Sequence, residues 1–336
     1  MTFQGYKTRL GVFALLVTSV AGLGAQVQVS PPKAPGIKRC VNAIGLIDEA
    51  DNEWPETLAN IRSAGFGTVR IQISPPYGPG VKRASTISYV KRVANIADYA
   101  SREGFQVILD MRGGASLYKS KEDFEHFSDM WTLSSPILSR LNPDRIYFEI
   151  MNEPHGFIDK RNFKSITIAL IDNIRKADPS RTFVVGTYWY SNVAGLKDWK
   201  SFPLLSGVIP SFHFYDPMSF THQGAHWLPR YSKVRTHYDP KVVSVALNNA
   251  ISVASDFRDS TGVNPLVGEI GAIVSPPRAE RTAYLNHVER RLSAAGFASC
   301  LWGWSRKPQM FSINEGPDIF PELSKWRTRT EAIPKF

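Results

Sequence analysis

From Arg39 onward, short apolar runs alternate with longer segments whose apolar residues recur at intervals of three and four. Ile87, Val90, Val93 and Ala97 show that helical spacing in one such segment. Eight apolar runs predict strands, at approximately Cys40–Leu46, Thr68–Ile73, Gln106–Met111, Arg145–Met151, Thr182–Thr187, Val208–Phe214, Pro265–Glu269 and Ser299–Trp304. This alternation is typical of repeated strand–helix units around a parallel sheet.

The sheet is predicted to close on itself. An open, doubly wound sheet is the main alternative, and it usually carries a glycine-rich turn after its first strand. Here that turn reads Asp48-Glu49-Ala50-Asp51, which disfavours a nucleotide site. Gly65, Gly104 and Gly296 stand where three helices should end, a place that suits glycine because it accepts left-handed backbone. Eight units in roughly 300 residues predict one α/β domain, a single (β/α)8 TIM barrel over residues 39–336.

The first 25 residues resemble an export signal rather than part of the fold. Lys7 and Arg9 precede a fourteen-residue apolar run, Leu10–Leu23, which is followed by Gly24 and Ala25. That order is typical of a secretory signal peptide, and the run is shorter than the roughly 20 residues needed to span a bilayer. We therefore expect a secreted or periplasmic protein without stable membrane insertion, with residues 26–38 forming an extended lead-in.

Charge and cysteine content exclude some classes of protein. The net charge is +10, but Lys and Arg are spread along the chain without a basic block, so no nucleic-acid partner is expected. The two cysteines, Cys40 and Cys300, fall in the first and last predicted strands, which barrel closure makes neighbours. Export would permit a disulfide between them, but a bridge between adjacent parallel strands fits disulfide geometry poorly, so we favour two buried thiols over a bridge. Histidines with metal-ligand spacing are not found, so no metal site is expected.

Polar side chains are concentrated where the predicted strands end. In a barrel of this kind the catalytic residues lie just past the carboxyl ends of the strands. The residues found there are Arg70, Asp110, Arg112, Asn152, Glu153, His213, Tyr215, Glu269, Trp302 and Trp304. A functional site is therefore predicted at this end of the barrel.

Two glutamates from separate strands stand out among these residues. Glu153 follows the buried run 146–151, and Glu269 ends the run 266–269. One proton donor and one carboxylate are what cleavage of a glycosidic bond requires. Taken singly, each acid could equally be a buried ion-pair partner. Glu149 alternates with apolar residues, so we interpret it as a barrel-interior acid or a partner of Arg70 or Arg112.

These residues resemble glycoside hydrolase family 5, the cellulase and mannanase family of retaining enzymes with acids on strands four and seven. The resemblance covers nearly all of the chain after the signal. Asn152-Glu153-Pro154 is similar to the acid/base motif of the family, in which the asparagine contacts the sugar 2-hydroxyl, and Gly268-Glu269 matches the nucleophile position. The resemblance implies Glu153 as acid/base and Glu269 as nucleophile.

Other matching positions imply supporting roles. Arg70 resembles the arginine that supports the nucleophile, and His213-Phe214-Tyr215 resembles a motif whose tyrosine hydrogen-bonds the nucleophile. Trp302 matches the aromatic floor beneath the cleaved sugar. His155 and Trp227 are further candidates for the cleft, Trp227 within the stretch 221–227, which is similar to a loop of some bacterial members. Trp189 and Trp304 are candidates either for sugar platforms or for the core.

One position departs from the family pattern. The third strand ends Leu109-Asp110-Met111-Arg112, where the family usually has a histidine in place of Arg112. That histidine ordinarily helps to hold the sugar beside the scissile bond, and a permanently charged, planar arginine is a poor chemical substitute. The departure bears on the substrate more than on the chemistry, because both glutamates are present.

The sequence thus predicts a monomeric, retaining glycoside hydrolase that needs no cofactor and acts on a β-linked polysaccharide or oligosaccharide. An endoglucanase acting on β-glucan is the favoured activity, and the two carboxyl groups should lie about 5 to 5.5 Å apart. Two alternatives remain open: a carbohydrate-binding barrel that has lost catalysis, and an exo-acting glycosidase or transglycosylase with the same acids.

Overall fold

The computed structural model describes residues 36–114, 117–199 and 207–324. The predicted signal peptide, residues 1–25, and most of the lead-in lie outside these ranges. Everything below refers to the described residues.

Eight parallel strands form a closed barrel in which each strand pairs with the next and β8 pairs with β1. This confirms the predicted (β/α)8 TIM barrel. The strands are β1 (Cys40–Ala43), β2 (Thr68–Ile73), β3 (Gln106–Met111), β4 (Ile146–Glu149), β5 (Phe183–Gly186), β6 (Val208–Phe214), β7 (Leu266–Gly271) and β8 (Ser299–Trp304). Outside the barrel, β9 (Asn314–Glu315) and β10 (Asp318–Ile319) form a small antiparallel pair.

The long helices pack around the barrel: α1 (Trp54–Ser63), α2 (Arg83–Arg102), α3 (Lys121–Leu138), α4 (Phe163–Arg175), α8 (Pro240–Thr261) and α9 (Arg278–Ala294). Four segments of one turn complete the set: α5 (Tyr188–Ser191), α6 (Leu196–Trp199), α7 (Met218–Thr221) and α10 (Pro321–Ser324). Val90, Val93 and Ala97 of α2 are buried, as their spacing predicted. Among the described residues, no helix combines the length and the apolarity needed to cross a membrane.

The prediction of helix ends was correct at all three glycines. Gly65 and Gly104 have φ of 88°, and Gly296 has φ of 83°, so each adopts left-handed backbone directly after its helix. The connection from β5 to β6 differs from prediction, because the described part contains only α5, a 3₁₀ turn (Val193–Gly195) and α6 instead of one amphipathic helix. In α5, Trp189, Tyr190 and Ser191 all have positive φ, so the chain turns sharply as it leaves β5.

The expectation of two free thiols was wrong. Cys40 and Cys300 form a disulfide, and their Cα atoms are 4.3 Å apart. The two residues are direct partners in the register of β1 and β8. Both side chains are fully buried at the seam where the barrel closes. This Cα separation is close to the lower limit of about 4.4 Å that is usual for disulfides, so the register of β1 and β8 brings the two sulfurs within bonding reach.

Candidate active site

The barrel register brings the predicted site residues to one end of the sheet. Arg70 is the partner of Asn42 between β2 and β1, and Trp302 is the partner of Asn42 between β8 and β1. Glu269 is the partner of His213 between β7 and β6. Glu153 reaches the same region from four residues beyond the last residue of β4, Glu149.

Arg70 is the central cation of the site and is fully buried. Its Nε and Nη2 donate to the two carboxylate oxygens of Glu149 at 2.6 and 2.8 Å, which makes a bidentate pair. Its Nη1 donates to Glu269 Oε1 at 2.7 Å. Burial opposes the charge on Arg70, but Asp110, Glu149 and Glu269 raise its pKa well above the usual value. Glu149 is therefore the ion-pair partner of Arg70, as one of the two sequence interpretations had it.

Glu269 is a buried carboxylate that accepts three short hydrogen bonds. Oε1 accepts from Arg70 at 2.7 Å and from Arg112 Nη2 at 2.9 Å. Oε2 accepts from the Tyr215 hydroxyl at 2.7 Å. Burial would raise the pKa of this carboxyl, but His213, the two arginines and Tyr215 together lower it to about 2. Glu269 is thus held ionised in one orientation.

Glu153 faces the open side of the site, and its side chain is 30% exposed. Its Oε1 lies 2.8 Å from Nδ1 of His213, and that nitrogen lies 3.5 Å from Glu269 Oε2. One carboxylate oxygen of Glu153 and one of Glu269 lie within 4.8 Å of each other. This gap fits a retaining arrangement rather than the roughly 6.5–9.5 Å of an inverting one.

The backbone around Glu153 is held in an unusual conformation. Glu153 has φ of 46°, in the left-handed region, and is followed by Pro154. His155 Nδ1 lies 2.7 Å from the carbonyl oxygen of Glu153, and its ring stacks on Tyr190 at a centroid distance of 4.1 Å. Tyr190 also donates its N–H to the carbonyl of Pro154 at 3.1 Å. His155 therefore contacts the backbone that presents Glu153, while its ring packs on Tyr190.

Arg112, at the position that departs from the family pattern, reaches into the middle of the site. Besides its bond to Glu269, its Nε donates to Asp110 Oδ2 at 2.8 Å and its Nη2 to Asn152 Oδ1 at 3.2 Å. The guanidinium carbon lies 4.9 Å from the ring centroid of Trp302. Arg112 thus contacts Glu269, which the resemblance assigns as the nucleophile. It also contacts Asn152 and Trp302, which the resemblance assigns to the sugar.

Comparison with known proteins shows the family of the chain. The model of the cellulase family, glycosyl hydrolase family 5, matches residues 34–308. The chain belongs to glycosyl hydrolase family 5.

Individual relatives of this family 5 chain are distant. Endoglucanase H of Acetivibrio thermocellus is 24% identical over 252 residues, which cover 72% of this chain and 26% of that protein. Cellodextrinase A of Ruminococcus flavefaciens is 28% identical over 199 residues, which cover 54% of this chain and 57% of that protein. This chain therefore spans about a quarter of the first relative and little more than half of the second.

Solved structures confirm the fold of the family 5 chain. Cellulose synthase subunit Z of Clostridioides difficile superposes with a TM-score of 0.76 at 21% identity, covering 87% of this chain and all of that one. Endoglucanase Cel5A of Thermotoga maritima gives a TM-score of 0.74 at 22% identity, covering 86% of this chain and 96% of that one.

The four candidate tryptophans fall into different environments. Trp302 is half-buried beside Arg112 and next to the cis peptide that joins it to Gly303. Trp304 is 2% exposed and belongs to the core, so it is not a sugar platform. Trp227 is 42% exposed, and its ring contacts that of His226. Trp189 is 65% exposed in the left-handed turn after β5.

Sequence reasoning missed two residues of the site. Asn42 accepts from Arg70 at 2.7 Å through Oδ1, and its Nδ2 donates to the carbonyls of Gly268 and Leu301 at 3.2 Å each. Tyr118 donates its hydroxyl to the carbonyl of Asn152. Asn42 left a signal in the sequence, as the one polar residue of the buried run Cys40–Ala43. Tyr118 left none, since it lies in a loop.

Three side chains of the site are close enough together to be considered as ligands of a metal ion. Glu153, His213 and Glu269 are grouped closely enough for three ligand atoms to meet one ion. The guanidinium groups of Arg70 and Arg112 already bind Glu269, however, and a further cation there would be repelled. The donor set therefore suits proton transfer better than metal binding.

Proposed function

We propose that this protein is a secreted, retaining endo-β-glucanase in which Glu153 is the acid/base and Glu269 the nucleophile. The observation that carries the proposal is the pair of carboxylates within 4.8 Å of each other, one open to the cleft and one buried and held ionised. A catalytic pair needs this difference, because one group must give a proton while the other attacks.

In the first step, Glu153 donates its proton to the glycosidic oxygen as Glu269 attacks the anomeric carbon. The bond between that carbon and the leaving oxygen breaks, and an ester between the sugar and Glu269 forms. Arg70 and Tyr215 keep the attacking carboxylate ionised and oriented, since each donates to it at 2.7 Å.

In the second step, the carboxylate of Glu153 takes a proton from water while the water oxygen attacks the anomeric carbon. The ester bond breaks, Glu269 regains its charge, and the sugar leaves with its original configuration. His213 contacts Glu153 at 2.8 Å and lies 3.5 Å from Glu269, so it couples the two acids electrostatically. Burial opposes its protonation, but the two glutamates raise its pKa.

The substrate class rests on family membership and on the relatives whose names contain endoglucanase and cellodextrinase. These names favour a β-linked glucan as the substrate of this chain. Trp302 offers an aromatic ring beside Arg112, which itself bonds the nucleophile, and sugar rings stack on aromatic rings of this kind. We propose Trp227 and His155 as cleft residues because their loops border the site. His155 lies two residues after Glu153, and the loop of Trp227 contains His222, whose ring contacts that of Tyr215.

A substrate panel tests the proposal directly. Wild type, Glu269→Ala and Glu153→Ala are assayed on β-glucans, mannan and xyloglucan, with Glu122→Ala, an exposed acid on α3, as the matched control. We expect turnover of β-glucan by wild type and the control, and its loss in both site variants. If wild type and Glu269→Ala both bind glucan but neither turns it over, the protein is a carbohydrate-binding barrel without catalysis. Product chain lengths separate endo from exo action and from transglycosylation.

We also propose that the protein is exported after removal of its signal peptide and that it is a monomer. Expression of the full chain should yield a protein in the periplasm or medium that has lost about 25 residues, measured by intact mass. Light scattering on that protein should give the mass of a monomer. A full-length protein retained in the cell would contradict the export proposal.

A further inference from the structure

Arg112 makes a direct bond to the proposed nucleophile. Its Nη2 lies 2.9 Å from Glu269 Oε1, and Arg70 Nη1 lies 2.7 Å from the same oxygen. The inference below rests on the proposed retaining mechanism, because it concerns how the charge on Glu269 changes during the two steps.

The position of Arg112 does not depend on Glu269 alone. Asp110, which is fully buried, accepts from Arg112 Nε at 2.8 Å, and the guanidinium lies over Trp302. Asn152 Oδ1 accepts from Nη2 at 3.2 Å. With these contacts, the cation stays beside Oε1 when Glu269 is converted to a neutral ester.

The charge on Glu269 falls in the first step and returns in the second. A fixed cation beside this oxygen stabilises the ionised carboxylate more than the ester. In the first step the attraction between Arg112 and Glu269 weakens on the way to the transition state, so Arg112 raises the barrier to ester formation. In the second step it strengthens on the way to the transition state, so the barrier falls.

We propose that Arg112 acts through Glu269 to set the balance of the two steps, slowing formation of the glycosyl ester and accelerating its hydrolysis. It is a positioning residue, and its effect is to keep the ester from accumulating. A histidine at this position could not supply the same constant charge, because its protonation varies with pH, whereas arginine remains charged.

The two steps can be measured separately with 2,4-dinitrophenyl 2-deoxy-2-fluoro-β-cellobioside. Its good leaving group allows the ester to form, and the fluorine slows both steps enough to time them. Inactivation gives the rate of ester formation, and recovery of activity after removal of the probe gives the rate of ester hydrolysis. Intact mass and peptide mapping locate the adduct.

For Arg112→Gln, we expect the ratio of hydrolysis rate to formation rate to fall about tenfold, as loss of one charge-assisted hydrogen bond implies. Arg112→Lys, which keeps the charge, should lie closer to wild type. Thermal unfolding of both variants checks that the fold persists. A merely structural role would reduce both rates together.

Two results would overturn the inference in distinguishable ways. If wild type forms the adduct on Glu269 but the ratio in Arg112→Gln stays within about twofold of wild type or rises, Arg112 does not set the balance. If wild type hydrolyses glucan and forms no adduct on Glu269, the retaining mechanism itself fails and the inference fails with it. Glu269→Gln, which should form no adduct, controls for labelling elsewhere.

Discussion

The hydroxyl of Tyr215 donates a 2.7 Å hydrogen bond to Oε2 of Glu269, on the oxygen opposite the one that the two arginines hold. This hydrogen bond fixes the direction of the attacking carboxylate, and a small misplacement of a catalytic group can cost up to about a hundredfold in rate. For Tyr215→Phe we therefore expect kcat/KM on β-glucan to fall about tenfold to a hundredfold. Tyr238→Phe, whose hydroxyl contacts His287 outside the site, is the matched control. Equal effects of the two variants would rule out a specific role for Tyr215.

The dependence of activity on pH should show an unusually low acid limb. The pKa of Glu269 is lowered to about 2, so the ionised form persists to lower pH than an ordinary glutamate, whose pKa is about 4.3. As long as the fold survives, kcat/KM should remain on its plateau through pH values near about 4.3 and fall only below them. Short assays on a soluble glucan, with circular dichroism at each pH, measure this. Tyr215→Phe should move the limb upward, because it removes one of the contacts that lower this pKa. An acid limb centred at the ordinary value in wild type would contradict the electrostatic account.

The buried pair of Arg70 and Glu149 should show strong coupling in a double-mutant cycle. Removing Arg70 leaves the charge of Glu149 buried without its ion-pair partner, which costs about 3–5 kcal/mol. We expect Arg70→Met to lower the free energy of unfolding by about that amount, and Arg70→Met with Glu149→Leu to lower it by less than the sum of the single changes. Denaturant unfolding gives the values. Additive costs would show that the pair does not act as a unit.

The barrel and its two acids were predictable because each depends on a local pattern. A buried strand is a short apolar run, and a catalytic acid at its carboxyl end interrupts that run. Predicted and observed bounds agree for Thr68–Ile73, Gln106–Met111, Val208–Phe214 and Ser299–Trp304. The partnership of Arg70 with Glu149 was one of two interpretations of the alternation along β4, and the structure selects it.

Features that depend on side-chain direction or close approach were not predictable. The disulfide was missed because neighbours on parallel strands were expected to fit disulfide geometry poorly, whereas Cys40 and Cys300 are direct partners in the register of β1 and β8 and are bridged. The contacts of Arg112 depend on a long side chain that crosses the site to reach Glu269. The left-handed conformation of Glu153 has no signature in the sequence, since a residue before proline usually adopts extended backbone.

The disulfide joins β1 to β8 across 260 residues of chain, at the seam of the barrel. Loss of a native disulfide usually costs about 2–5 kcal/mol, since the unfolded chain is no longer constrained. We expect Cys40→Ser with Cys300→Ser to lower the free energy of unfolding by about that amount while kcat/KM on β-glucan stays near that of wild type. Denaturant unfolding with and without a reductant gives the comparison. Unchanged stability after reduction would show that the bridge does not stabilise the barrel.

The roles of Glu153 and Glu269 are tested most directly by rescue with azide, read from the configuration of the glycosyl azide formed on 2,4-dinitrophenyl β-cellobioside. In Glu269→Ala, azide should take the place of the nucleophile and give the α-azide. In Glu153→Ala, the ester on Glu269 still forms, and azide should attack it to give the β-azide. Proton NMR distinguishes the two anomers. The reverse assignment, the same anomer from both variants, or no rescue of either would contradict the central claim that Glu269 attacks and Glu153 donates the proton.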